Sequence, residues 1–253
     1  MPCTCFSTAP TLSRRRLLTG AAALPLATLP ACDRARVLVS EQEAAAMGAE
    51  AWQQIRSEVP ESDDSAFRDT VATLSERLIT AAGGDPGAWQ VVAFEAPEVN
   101  AFALPGGRIG VYRGLYDLAG SPDELAAVIG HEIGHLEADH ARERMGNARA
   151  QGALQRLVAF VLRQSEIEFD EEIMAALGLG LRYGLALPYG RDQELEADRL
   201  GLDIMTDAGF APDAAIRLWE RMEAARPDRP PAFLATHPAP GTRIRALREM
   251  IET

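Results

Sequence analysis

The chain has 253 residues, of which 47% are hydrophobic and 25% are charged, a composition typical of a globular protein with a buried core. Its formal net charge of −12 argues against nucleic acid as a partner, because phosphate binding needs a basic surface. All 25 basic residues are arginine, and histidine occurs only 4 times, so two histidines at metal-ligand spacing are notable.

Residues 1–31 are predicted to be an export signal that precedes the folded domain. A run of arginines at 14–16 resembles the twin-arginine pattern, and the apolar segment behind it is too short to span a bilayer. The signal ends at Leu29-Pro30-Ala31-Cys32, which resembles a lipobox in which Cys32 becomes the lipidated first residue. Pro30 departs from that box, so ordinary signal cleavage near Ala31 is the alternative. Residues 32–253 are predicted to form a single domain.

The segment after the signal predicts two helices and a small sheet. Ser40 is placed to cap a helix over 40–55, and apolar residues recur at helical spacing over 65–82. Alternation over 89–94 predicts a strand, and 100–112 is predicted to form a hairpin with Pro105-Gly106-Gly107 at its turn. The hairpin either only completes the sheet or also offers a free edge to an extended peptide.

The next predicted helix carries a metal motif. Ser121 and Pro122 indicate its start, and it is predicted to run to about residue 145. It contains His131-Glu132-Ile133-Gly134-His135, and histidines four apart leave the same helix face, where both can bind one Zn²⁺. Glu132 can take a proton from a water beside the metal, which is the work of a general base. The motif predicts a zinc hydrolase; the alternative is an ordinary helix with two surface histidines.

Further helices are predicted downstream, over 148–165, 173–187, 189–208, 212–225 and 242–252. The segment 173–187 is the most hydrophobic part of the chain after the signal, but it is shorter than the roughly 20 residues that a membrane span needs. A buried core helix is the preferred interpretation, and a membrane-surface segment is the alternative. The proline-rich segment 226–241 is predicted to be a loop.

A catalytic zinc usually has three protein ligands and one open position, so a third ligand is needed. On a helix that continues past the motif, His140 would point about 140° away from His135, and it is predicted to be a solvated surface histidine. Glu194 and Asp198 share a face of the later helix. Glu194 is predicted to bind zinc, and Asp198 to accept a hydrogen bond from the outer N–H of a ligating histidine. Glu196 is excluded from that face; a merely solvated acidic helix is the alternative.

The sequence combines the metal motif with the later stretch RDQELEADRLG and with Thr236-His237-Pro238 followed by Arg243. Together these features resemble the HtpX/CAAX-prenyl-protease family of zinc metallopeptidases. The resemblance is closest to its small exported bacterial members of the BepA and LoiP kind, and it covers residues 40–250. It implies an α+β, mostly α-helical, zincin-like fold with a small sheet beside the motif helix. Neither the membrane helices of HtpX nor the helical repeats of BepA are expected here.

The resemblance also implies the roles of individual residues. One zinc per chain would be bound by His131, His135 and Glu194, with Glu132 as the base and Asp198 behind the ligands. The strand around Asn100, Ala101 and Phe102 would hold the substrate backbone.

His237 lies outside the motif helix, and three roles are open for it. As a fourth zinc ligand it would displace the catalytic water and hold the enzyme latent, which is the preferred hypothesis. As a donor beside Arg243 it would stabilise the oxyanion of the tetrahedral intermediate. It could also be an ordinary loop residue.

The sequence therefore predicts a zinc endopeptidase that is exported to the periplasm and anchored to the membrane by a lipid on Cys32. Its expected substrates are unfolded or damaged envelope proteins. The alternatives are a chaperone-like binder with little proteolysis and a zinc hydrolase with a non-peptide substrate. Glu132 favours an enzyme, because a binder needs no base beside the metal. The oligomeric state is not predicted.

Overall fold

The computed structural model describes residues 38–150, 189–225, 231–238 and 240–252. The predicted export signal, Cys32 and the hydrophobic segment 173–187 lie outside the described residues, as does most of the predicted helix over 148–165. Within the described residues, no helix combines the length and the apolar character that crossing a membrane requires.

The described part of the chain is mostly helical with one small sheet, which confirms the predicted fold class. The strands are β1 (Gln90–Phe94), β2 (Ala101–Leu104) and β3 (Arg108–Tyr112). Two helices form the site and are named here the motif helix (Pro122–Glu137) and the acidic helix (Arg191–Asp207). The other helices are Glu41–Glu58, Ser65–Ala81, Arg113–Leu118, Asp213–Ala224, Ala232–Thr236 and Pro240–Ile251, with a 3₁₀ turn at Pro86–Ala88.

The sheet has the order β1-β3-β2, with β1 parallel and β2 antiparallel to β3. The predicted hairpin is therefore confirmed. Its turn contains Gly106 and Gly107 at φ 85° and 72°, a left-handed conformation that favours glycine. Among the described strands β2 pairs only with β3, and its other edge lies beside the motif helix.

The motif helix lies at the centre of the fold. Ser121 caps it by accepting a hydrogen bond from the backbone N–H of Glu124, and every residue from Glu124 to His135 is buried. The acidic helix, β2 and the helices Ser65–Ala81 and Asp213–Ala224 all pack against it. A helix buried all round is hydrophobic on every face, which accounts for the apolar run that surrounds the histidines.

Glycines let the motif helix and the acidic helix approach each other closely. A Cβ at Gly134 would lie 2.8 Å from the carbonyl oxygen of Ala197, and a Cβ at Gly201 would lie 2.9 Å from the backbone nitrogen of His131. Both distances are shorter than a normal contact, so side chains here would push the helices apart. The close crossing brings the acids of one helix to the histidines of the other.

Three predicted boundaries were wrong. The motif helix ends at Glu137, not near residue 145, because Asp139 adopts φ 60° and turns the chain before residues 140–150 form a new helical stretch. The proline-rich loop contains a short helix, Ala232–Thr236. The last helix begins at Pro240, since proline is well suited to a first helical turn.

Candidate metal centre

The two motif histidines face each other inside the protein. Their Nε2 atoms are 3.1 Å apart, and both side chains are buried. This arrangement follows from the four-residue spacing on one helix. Burial keeps the pKa of His135 well below its usual value, so its imidazole is neutral, which is the form that binds a metal.

The acidic helix adds a carboxylate to this pair. Glu194 Oε2 lies 3.6 Å from His131 Nε2, and Glu194 Oε1 lies 3.5 Å from His135 Nε2. Burial acts to raise the pKa of Glu194, but the neighbouring histidines and the charge of Arg243 outweigh it and hold that pKa well below its usual value. Glu194 is therefore ionised and able to bind a cation.

His237 completes a four-membered group. Its Nδ1 lies 3.1 Å from Glu194 Oε1 and 3.3 Å from His131 Nε2, and the ligand atoms of all four residues lie within 4.8 Å of one another. In a tetrahedral site with zinc bonds of about 2.1 Å, ligand atoms are separated by about 3.4 Å. These separations, together with the nitrogen and oxygen donors, fit zinc, and the predicted cofactor is thereby supported.

Behind the ligands lies a buried ion-pair network. Asp198 Oδ1 is 3.0 Å from His131 Nδ1, which is the nitrogen that faces away from the other ligands. Arg243 is only 1% exposed. Its Nε lies 2.7 Å from Asp198 Oδ2, and its Nη1 lies 2.5 Å from Glu194 Oε2. Its guanidinium carbon also lies 3.8 Å from the centre of the Trp219 ring. Burial acts to raise the pKa of Asp198, but Arg243 outweighs it and keeps that pKa below its usual value.

Arg243 therefore contacts the carboxylates of the site. Its Nη2 is also 3.1 Å from His131 Nδ1, so each of its three nitrogens is close to a ligand or to Asp198. A buried guanidinium needs a paired charge and hydrogen-bond partners, and the two carboxylates provide both. The hypothesis that Arg243 donates to an oxyanion stays a prediction.

Glu132 lies between the metal group and the sheet. Its Oε2 accepts a hydrogen bond from the backbone N–H of Ala103 at 2.9 Å, and its Oε1 is 3.3 Å from His237 Nε2. Its carboxylate is none of the four clustered donors, which leaves it available for proton transfer. Its position beside the group agrees with the base role expected from the motif.

The residues predicted to hold a substrate lie in or next to β2. The Asn100 carbonyl accepts from Tyr112 N–H, and the Phe102 ring packs beside Phe94. Because backbone groups alternate in direction along an antiparallel strand, Ala101 and Ala103 present theirs to the edge that faces away from β3. The sequence reasoning missed Ala103, although it is the residue that contacts Glu132.

The predicted surface location of His140 was wrong. It is 1% exposed, its Nδ1 lies 2.9 Å from His135 Nδ1, and its Nε2 lies 3.2 Å from Glu196 Oε2. The turn at Asp139 is the physical reason, because the prediction assumed a continuous helix. Aspartate tolerates left-handed backbone better than most residues, and that was the available signal.

Tyr189 is a further site residue that sequence reasoning missed. Its ring stacks on the ring of His135, with centroids 3.9 Å apart and planes at 19°, and its backbone N–H donates to the carbonyl of Thr236. His237 is in turn stacked on Phe233 at 4.2 Å. These contacts attach the segment of His237 to the start of the acidic helix.

The sequence profile described as peptidase family M48 matches residues 67–251. The mitochondrial metalloendopeptidase OMA1 of Schizosaccharomyces pombe is 33% identical over 210 residues, which are 81% of this chain and 60% of that protein. The β-barrel assembly-enhancing protease of Escherichia coli is 28% identical over 196 residues, 76% of this chain and 40% of that protein. OMA1 of Arabidopsis thaliana is 35% identical over 161 residues, 64% of this chain and 31% of that protein. The chain thus spans from 31% to 60% of the length of these relatives.

Proposed function

The chain belongs to peptidase family M48, and from this premise we propose that it is an exported zinc endopeptidase that hydrolyses unfolded or damaged cell-envelope proteins. The membership confirms the metallopeptidase resemblance expected from the sequence. The observation that carries the proposal is the buried group of His131, His135 and Glu194 with Glu132 beside it.

In this proposal each residue has a separate task. His131, His135 and Glu194 would hold the zinc, which supplies a Lewis acid that polarises the scissile carbonyl and acidifies a water. Glu132 takes the proton of the attacking water and passes it to the leaving amine. Asp198 holds His131 through its outer nitrogen, while Arg243 forms ion pairs with Glu194 and Asp198.

The edge of β2 supports an extended substrate. Ala101 and Ala103 can add a peptide as a further strand through backbone hydrogen bonds, which give affinity without demanding a sequence. An unfolded chain provides such extended segments, whereas most backbone groups of a folded protein are already paired. The Ala103 N–H is bound to Glu132, so an incoming carbonyl would take over this donor and release the carboxylate for proton transfer.

For His237 we retain the latch hypothesis. The Nδ1 that lies among the ligand atoms would serve as a fourth ligand, and Nε2, 3.3 Å from Glu132 Oε1, would donate to the base. Both contacts oppose turnover, because one closes the open position and the other occupies the carboxylate.

Replacing His237 with alanine should therefore raise turnover and weaken zinc binding. Rates of peptide hydrolysis and zinc affinity, measured on the same preparation, check this result. Thr236→Val is the matched control and should leave both unchanged. If His237 is instead an oxyanion donor, turnover falls by roughly 10²–10³ with zinc retained; if neither quantity changes, His237 is a loop residue.

The envelope location rests on the sequence pattern of residues 1–31 and on Cys32 as a lipid anchor. A relative carries the name β-barrel assembly-enhancing protease, which is in keeping with an envelope role. The competing function is a chaperone-like protein that binds unfolded chains along β2 and cleaves little.

Digestion assays separate the two functions. The purified protein should cleave a permanently unfolded protein such as reduced, carboxymethylated lactalbumin and leave its folded form intact. A zinc chelator should stop cleavage, and added Zn²⁺ should restore it. Binding of the unfolded protein without fragments, at full zinc loading, would support the chaperone-like function and contradict the peptidase.

A further inference from the structure

His135 has a partner on its outer nitrogen that the proposed catalytic tasks leave unexplained. His135 Nε2 faces His131 and Glu194, while His135 Nδ1 lies 2.9 Å from Nδ1 of His140. The second nitrogen of His140, Nε2, lies 3.2 Å from Glu196 Oε2. The three residues thus form a chain of contacts from the site to the surface, where the Glu196 side chain is 50% exposed.

The carboxylate at the end of this chain sets the direction of both hydrogen bonds. An ionised carboxylate only accepts hydrogen bonds, so His140 Nε2 carries the proton that bonds to Glu196. In the neutral imidazole the other nitrogen is then an acceptor, and His140 Nδ1 accepts from His135 Nδ1–H. His135 is left with an unprotonated Nε2 that points at the other ligand atoms.

We propose that His140 and Glu196 are positioning residues that hold His135 in the tautomer and orientation needed for zinc. This inference rests on the proposed function of the site. Outer partners of this kind fix the ring and raise the basicity of a ligating histidine.

The two ligating histidines would then be supported by different means. His131 contacts the carboxylate of Asp198 directly, whereas His135 reaches the carboxylate of Glu196 through a second imidazole. Glu196 lies between Glu194 and Asp198 in the sequence but on a different face of the acidic helix. His140 follows the turn at Asp139 (φ 60°) and contacts Glu196. Tyr189, stacked on the His135 ring at 3.9 Å, restricts the same ring from its face.

The proposal is tested by measuring the zinc affinity of the whole predicted domain, residues 32–253. His140→Phe keeps a ring of similar size but removes both nitrogens, and it should weaken zinc binding by about 10–100-fold. His140→Asn places an amide oxygen near the position of Nδ1 and should recover part of that loss. Glu196→Gln removes the charge that orients the hydrogen bonds of His140 and His135. It should weaken zinc binding by a smaller factor than His140→Phe does.

Asp203→Asn is the matched control, because Asp203 lies on the same helix, is exposed, and pairs only with Arg199 among the contacts described for it. It removes the same charge as Glu196→Gln and should leave zinc affinity unchanged. Competition with a chromophoric chelator gives the affinities, and the visible spectrum of the Co²⁺-loaded protein reports the ligand field. The spectrum should change in His140→Phe and remain that of the wild type in Asp203→Asn. Thermal unfolding of the metal-free proteins separates positioning from a general loss of fold.

The possible outcomes are distinct. If the wild type binds zinc and His140→Phe binds it equally well, the positioning role is overturned while the proposed function stands. If His140→Phe does not fold, the zinc affinities of Glu196→Gln and His140→Asn test the proposal instead. It is overturned if both affinities equal that of Asp203→Asn. If the wild type itself binds no zinc, the proposed function fails and this inference fails with it.

Discussion

Replacing Glu194 with alanine is expected to empty the metal centre and abolish hydrolysis. Glu194 supplies the carboxylate oxygens that lie 3.5 Å and 3.6 Å from the two motif histidines. Without them the group keeps no anionic ligand, and the charge of Arg243, 2.5 Å from Glu194, is compensated only by Asp198. Both changes disfavour a bound dication, so zinc affinity should fall by more than the about 10–100-fold typical of outer partners.

Metal analysis after loading with excess zinc and removal of the unbound metal measures this effect, and Glu196→Ala is the comparison. Glu196 contacts His140 rather than the ligand atoms, so this variant should still load one zinc when the metal is in excess. Zinc retained in Glu194→Ala and lost in Glu196→Ala would mean that the acidic helix presents another face to the site.

Glu132→Gln is expected to stop turnover while zinc stays bound. The amide has nearly the same shape as the carboxylate, and its oxygen can still accept from Ala103 N–H. It cannot take a proton from water, and general-base catalysis accounts for about 10²–10⁴ in rate. The turnover number for an unfolded substrate should fall by that factor, with the zinc content equal to that of the wild type.

The kinetic measurement needs a matched control for changes near the site. Glu137→Gln makes the same substitution at the end of the motif helix, where the residue is exposed, and should leave turnover unchanged. Equal turnover in Glu132→Gln and the wild type would remove Glu132 from the role of base.

The parts of the site that were predictable from the sequence depend on helix geometry alone. His131 and His135 share a face because four residues make just over one turn, and the same spacing joins Glu194 to Asp198. The hairpin was predictable because its turn contains two glycines in succession. In each case a short stretch of chain contains the whole pattern.

The missed features depend on contacts between distant segments. The burial of His140 follows from a left-handed Asp139, a conformation that non-glycine residues adopt rarely. The contact of Ala103 with Glu132 depends on how β2 lies against the motif helix, and the stacking of Tyr189 on His135 depends on where the acidic helix begins. The helix Arg113–Leu118 was also missed, because six residues are too few for a clear periodic pattern.

One zinc is expected to lie between the motif helix and the acidic helix. Anomalous scattering at the zinc absorption edge, from crystals of the zinc-loaded protein, tests it most directly. The expected result is one peak per chain within about 2.0–2.2 Å of His131 Nε2, His135 Nε2 and a Glu194 oxygen. A zinc-loaded crystal with no peak at this position, or with its peak bound by other residues, would contradict this expectation.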